Sequence, residues 1–173
     1  MILPPPATDI PRFLSYSLPE YRYVPKYLPH PFRSDNGHRH MKKIRSRLQN
    51  INEEEMLDIF WLHGCDLFSY RYYWEAHEFW EEVWKCKTGL RKREIQAAIK
   101  MSASILKRHM NHIDPAQKLW NHSFDVIQKS VDPFLCFWCQ KAEKYHQSTD
   151  WKHLEMTKLE RERYKKLISL SDK

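Results

Sequence analysis

The segment YYWEAHEFWEEVWKC, residues 72–86, places Trp74, His77, Glu81 and Trp84 at successive spacings of 3, 4 and 3. In a helix those side chains share one stripe. An imidazole and a carboxylate one turn apart can hydrogen-bond, pass a proton or share a metal ion. Tyr73, Ala76, Trp80 and Val83 widen the stripe, while Glu75, Glu78 and Glu82 fall towards the other side. The expected orientation sets His77 and Glu81 between two tryptophans on the core-facing side. A buried ionisable pair is costly unless well hydrogen-bonded, and breaking one costs ~3–5 kcal/mol. Three readings follow: a structural hydrogen bond that fixes helix register, a metal or proton-transfer site, or a rotated helix with a solvated pair. A divalent metal is the one cofactor this pattern admits. Zinc takes three or four protein ligands, so two residues on one helix make half a site. His30, His38 and His40 could close it if the N-terminal segment folds back, with His63 and Glu78 as further candidates.

The elements that must position these residues are helical. Asn52 with Glu55 reads as an N-cap and capping-box carboxylate, and Ile51 with Met56 as a hydrophobic staple. Met56, Leu57, Phe60, Trp61, Gly64, Leu67 and Phe68 then recur at helical spacing. The motif helix follows over about 72–86 and a third over about 90–110. Asp114-Pro115 and Asp132-Pro133 each open a helix with proline at the first helical position. A last helix is expected over about 150–170. Short connections imply antiparallel neighbours. The fold class is therefore all-α, an antiparallel bundle of about five to six helices over residues 51–173, preceded by an extended proline-rich arm over residues 1–50.

Eight of the ten prolines lie between Pro4 and Pro31, so that stretch runs extended rather than helical. Phe13, Tyr16, Tyr21, Tyr23, Tyr27 and Phe32 are interleaved with them, which low-hydrophobicity disorder would not supply. Thirty extended residues reach up to ~100 Å, against a radius of gyration of ~16 Å for a domain of this length, so the arm can wrap the bundle. The net charge of +7 is unevenly spread: +6 over residues 1–50, −8 over 51–84 and +9 over 85–173. Three glycines in 173 residues argue against a turn-rich β fold and a glycine-rich nucleotide loop. No run of ~18 apolar residues spans a membrane, and the start lacks the pattern of a signal peptide. Four cysteines are too few for a disulfide scaffold, which points to a reducing, cytoplasmic setting.

The segments LFSYRYYWEAHEFWEEVW and REIQAAIKMSASILKRHM resemble the helical family catalogued as domain of unknown function 309, whose hallmark is H-x-x-x-E-x-x-W within a YWEAHE-type segment. Here those residues are His77, Glu81 and Trp84, and the likeness extends over about residues 56–130. The leader of longer members, roughly PYRYVPG…PHP…GHS, is similar to Tyr21, Arg22, Tyr23, Val24, Pro25, His30, Pro31, Gly37 and His38. The resemblance implies an all-α bundle of unknown function whose His/Glu motif has been suggested to bind metal. Two departures stand out. Arg71 occupies a turn position where the family usually has glycine, and Lys100 stands where an amide is usual in a QGLIQ-type segment. A lysine facing the pair would neutralise Glu81 and disfavour a cation.

Other signals weigh less. Cys136 and Cys139 form a lone CxxC without a second pair or a βαβ context, so most of the cysteines read as small buried hydrophobes. The basic run from His38 to Arg47 could meet phosphates, although a solvated lead-in to the acidic helix is simpler. Three function classes stay open. One is an interaction or scaffold module with a structural His77–Glu81 pair, serving a protein or small-molecule partner. Another is a small metal-dependent or acid–base enzyme that adds Trp74 and Trp84 as walls and His30 or His38 as closing groups. The third, less favoured, is a binder of RNA or anions through the basic arm.

Overall fold

A computed structural model describes residues 4–6, 9–148 and 150–171. Among them are seven α-helices and no strand: α1 (His40–Arg47), α2 (Glu53–Ser69), α3 (Tyr73–Cys86), α4 (Gly89–His109), α5 (Ile113–Ile127), α6 (Pro133–Ser148) and α7 (Lys158–Ser171), with a 3-10 turn at Trp151–Leu154. Helices α2 to α5 pack in sequence, each on the next, and α6 closes against α4, α5 and the 3-10 turn. No described helix is long and apolar enough to cross a membrane.

The helix starts follow local chemistry. The Asn52 side chain accepts the Glu55 N–H at 2.9 Å, and Asp132 accepts the N–H groups of Phe134 and Leu135 at 3.0 and 3.1 Å. Pro133 opens α6 as expected, whereas α5 begins two residues ahead of Pro115, at Ile113. The expected last helix is divided. Thr157 caps α7 by accepting the Glu160 N–H at 3.2 Å while Glu160 accepts the Thr157 N–H at 2.7 Å, a reciprocal capping box that fixes a new start after the 3-10 turn.

The core is aromatic. Phe60, Phe68, Phe79, Trp80 and Trp138 are fully buried, and Phe134 sits among them. α2 and α3 approach closely because Gly64 leaves room for an indole: a Cβ there would lie 2.3 Å from Trp80 Nε1. That indole N–H donates to the Trp61 carbonyl at 3.2 Å.

The buried face of α3 is the Tyr73, Ala76, Trp80 and Val83 side of the broad expected face, turned away from the His77–Glu81 stripe at its centre. Tyr73, Ala76, Phe79, Trp80 and Val83 face the core, and the stripe of Trp74, His77, Glu81 and Trp84 lies to the side, half-buried. The rotation has a clear cause. The observed face buries four large apolar groups while leaving His77 and Glu81 partly solvated, which avoids the cost of burying an ionisable pair.

The arm lies on α2 and α3. The N–H groups of Phe13 and Leu14 donate to the Asp66 carboxylate at 2.7 and 2.9 Å, Tyr70 Oη bonds both backbone groups of Ile10, and Tyr72 Oη donates to the Pro19 carbonyl. Phe13 packs edge-on to Tyr164 of α7, and Tyr16 to His63. The last part of the stretch read as extended is helical: α1 begins at His40, and its Ile44 is buried.

Candidate functional site

His77 Nε2 and Glu81 Oε1 lie 3.1 Å apart, with the two side chains 27% and 42% exposed. Glu78, next to His77 in sequence, turns its carboxylate to the same spot. Among the described residues these three form the one group of His, Cys, Asp or Glu whose ligand atoms all lie within 4.8 Å of one another. Burial, followed by the charge of Glu81, pushes the Glu78 carboxyl up to about 7. No hydrogen bond or ion pair to that carboxylate is found among the described residues, and the charge of Lys85 offsets the rise only in part.

The tryptophans of the motif have different surroundings. Trp74 is covered by the arm: the rings of Tyr23, His30 and Phe32 stand 4.9, 5.4 and 5.6 Å from it. Trp84 sits under the Lys92 ammonium of α4, 4.5 Å from the ring centroid. Lys100 is half-buried on α4 and forms no ion pair with Glu81 among the described residues. The electrostatic objection to a cation therefore finds no contact to support it.

The arm histidines go elsewhere. His30 uses Nδ1 to accept the N–H groups of Phe32 and Arg33 at 3.2 and 3.3 Å while its ring packs edge-on to Trp74. His38 is buried. Its Nδ1 accepts the His40 N–H at 3.1 Å, which leaves the proton on Nε2 to donate to Glu75 Oε1 at 3.0 Å. The same oxygen accepts the Tyr23 N–H at 2.8 Å. Glu75 is the buried carboxylate of α3; burial pushes its pKa up and the His38 and Tyr23 hydrogen bonds partly offset this. Its Oε2 has no protein partner and it lines a cavity of about 10 Å³ shared with His38, His40 and Glu78, room for about one water.

A second buried contact joins α1 to α2. His40 Nε2 and His63 Nε2 are 2.8 Å apart, and His63 Nδ1 has no partner. An unpaired lone pair costs less than an orphaned N–H, so His63 donates and His40 accepts. Burial holds both neutral, with His40 lowered to about 4 and His63 to about 3.

Thus α3 has two polar faces. One, Glu75 with His38, is sealed and fastens the arm. The other, His77 with Glu78 and Glu81, is open. Sequence periodicity singles out the second and passes over the first, because Glu75 is one more glutamate in an acidic run and its partner lies 37 residues away. Beside the open face, an apolar groove of about 410 Å³ runs between the arm, α3 and the end of α4, with His77 in its wall.

An all-α bundle with an open His/Glu/Glu group on its second long helix, beside an aromatic arm, is the class of protein that fold and site define. The sequence pattern of the family described as Domain of unknown function (DUF309) matches residues 61–119, from the middle of α2 through α3 and α4 into α5, and this part of the chain is similar to that family. No curated protein matches the chain, and no solved structure does.

Proposed function

We propose that the protein is a helical module that binds one divalent cation at His77, Glu78 and Glu81. The observation that carries this reading is the convergence of one imidazole and two carboxylates within 4.8 Å on a half-exposed helix face. The donor set suits a borderline or hard cation, and three protein ligands leave a position open for water or a substrate oxygen. Glu78 supports it from a second side. A carboxyl raised to about 7 by burial and by a neighbouring carboxylate is relieved by a cation, which would displace its proton. A purely structural role for the His77–Glu81 pair has less to recommend it, since a solvated i,i+4 pair contributes only ~0.3–0.5 kcal/mol. When bound, the cation would supply Lewis-acid polarisation or an activated water. Glu78 and Glu81 would balance its charge and His77 would orient it beside the groove. A reducing, cytoplasmic setting fits the four free cysteines, of which Cys65 and Cys139 are buried while Cys86 and Cys136 are exposed.

Titration of tag-free, metal-stripped protein with Zn²⁺ or Mn²⁺ by calorimetry tests the reading. Near-stoichiometric binding is expected, with release of a fraction of a proton at pH 6–7. His77→Ala and Glu81→Gln should each lose at least ~10-fold in affinity, and Glu78→Gln should lose affinity and the proton release together. Absence of binding, or binding unchanged in His77→Ala, overturns it.

A further inference from the structure

The groove beside α3 has its own chemistry. Pro25 of the arm, Tyr73 and Trp74 of α3, and Leu106 and Met110 of α4 make its walls, and its volume of about 410 Å³ falls within the ~300–1,000 Å³ of small-molecule sites. The charges around it are of one sign. Lys26 and Lys107 line it together with His77 and His112, and no carboxylate does. Neither lysine forms an ion pair among the described residues, although the chain is rich in glutamates that pair with other lysines.

Lys26 adds an independent observation. Its φ is +72°, in the left-handed region where an L side chain is strained and glycine is comfortable. Strained backbone at a non-glycine residue persists where surrounding structure holds it, and such residues gather at ligand clamps. Here the strained residue sets an exposed ammonium at the edge of the apolar groove.

We infer that this groove binds a small amphipathic carboxylate: a medium-chain fatty acid with its chain against Trp74, Leu106 and Met110 and its carboxylate between Lys26 and Lys107. The apolar walls bury the chain, and the two unpaired ammonium groups supply the countercharge that a neutral or cationic amphiphile cannot use. Lysine, a compact point charge on a flexible stem, suits a single carboxylate without demanding the bidentate geometry of arginine. This site adjoins the cation site. His77 belongs to both, but the carboxylate is held by the lysines.

Calorimetric titration of the full chain with decanoate, decanol and decyltrimethylammonium, each below its micelle concentration and in the presence of EDTA, tests the inference. Decanoate should bind saturably at one site and perturb tryptophan emission, with the emission change lost in Trp74→Phe. Lys107→Gln, an exposed change that leaves the core untouched, should weaken binding about five-fold. Lys26→Gly should weaken it similarly while raising the melting temperature, because it removes both the charge and the strain. Ala103→Trp should block the groove, with circular dichroism confirming the fold. Equal affinity for decanol, no effect of either lysine change, or binding that survives Ala103→Trp would overturn the proposal. So would decanoate binding that vanishes with EDTA, since the carboxylate would then sit on the cation at His77. Cation binding without decanoate binding would leave the proposed function standing and remove this inference alone.

Discussion

At the scale of single residues, the buried imidazoles His40 and His63 have the clearest measurable consequence. Both are held neutral in the fold, at about 4 and about 3, chiefly by burial. The unfolded chain takes up a proton near 6.5. Between these values the unfolded state binds more protons, so the contribution of each histidine is intact above about 6.5 and is lost as pH falls towards its folded value. From pH 7 to pH 5 each loses about 1–2 kcal/mol. Asp66 acts the other way: burial pushes its carboxyl up to about 7, despite the Phe13 and Leu14 N–H groups, so its contribution grows as pH falls through the same window. The wild-type profile is therefore a compensation, and a difference isolates the imidazole. The fall in melting temperature between pH 7 and pH 5 should be roughly 2–8 °C smaller in His63→Gln than in wild type. Parallel profiles would mean that His63 is not held neutral by the fold.

At the scale of elements, the joint between α2 and α3 rests on Gly64. The Trp80 indole occupies the space of the missing Cβ and donates to the carbonyl of Trp61, so the two helices approach by the thickness of a ring. Gly64→Ala would ordinarily favour a helix by ~1 kcal/mol. Here the methyl meets a fully buried indole that cannot withdraw, and overpacking costs typically 1–3 kcal/mol. A net loss of about 1–2 kcal/mol is expected in urea unfolding, and a stabilised variant would show that the helices can separate freely. This joint also explains how far the sequence could be read. Helical periodicity located α2, α3 and α4, since three- and four-residue spacing is a local property. It drew the buried face of α3 too broadly and centred it on His77 and Glu81, because Trp74, Ala76, Phe79, Trp80 and Trp84 offer two apolar stripes about one residue apart and only the partner helix chooses between them. The division of the last helix was legible in Thr157 and Glu160, a local capping box. The arm contacts were not: Asp66 and Glu75 meet backbone N–H groups 52 or 53 residues away, and a backbone donor carries no sequence signature.

At the scale of the whole molecule, Arg71 joins the start of the arm and the segment after α6 to the turn between α2 and α3. It sits in the turn between α2 and α3 with φ +68°, a conformation natural to glycine and costing an L residue roughly 1–2 kcal/mol. Its buried guanidinium donates to the Pro4 carbonyl at 2.7 Å, pairs with Glu155, and lies 5.2 Å from the centre of the Trp151 ring. One side chain thus fastens the start of the arm and the segment after α6 to the hairpin that carries His77 and Glu81. The strain is the cost of placing a cation where three segments meet. Arg71→Gly would relieve about 1 kcal/mol of strain yet lose a buried ion pair, whose rupture costs ~3–5 kcal/mol when both partners are buried and less here, because Glu155 keeps 22% of its surface. The expected net loss for glycine is about 1–3 kcal/mol, with Arg71→Ala lower by about a further 1 kcal/mol because it keeps the strain and loses the clamp. Equilibrium urea unfolding measures that order. Limited proteolysis should then cut the start of the arm and the 150–157 segment faster in both variants, because Arg71 contacts both. Faster cleavage of the arm alone would mean that Arg71 anchors a single segment, and a glycine variant as stable as wild type would mean that the left-handed arginine has no structural return.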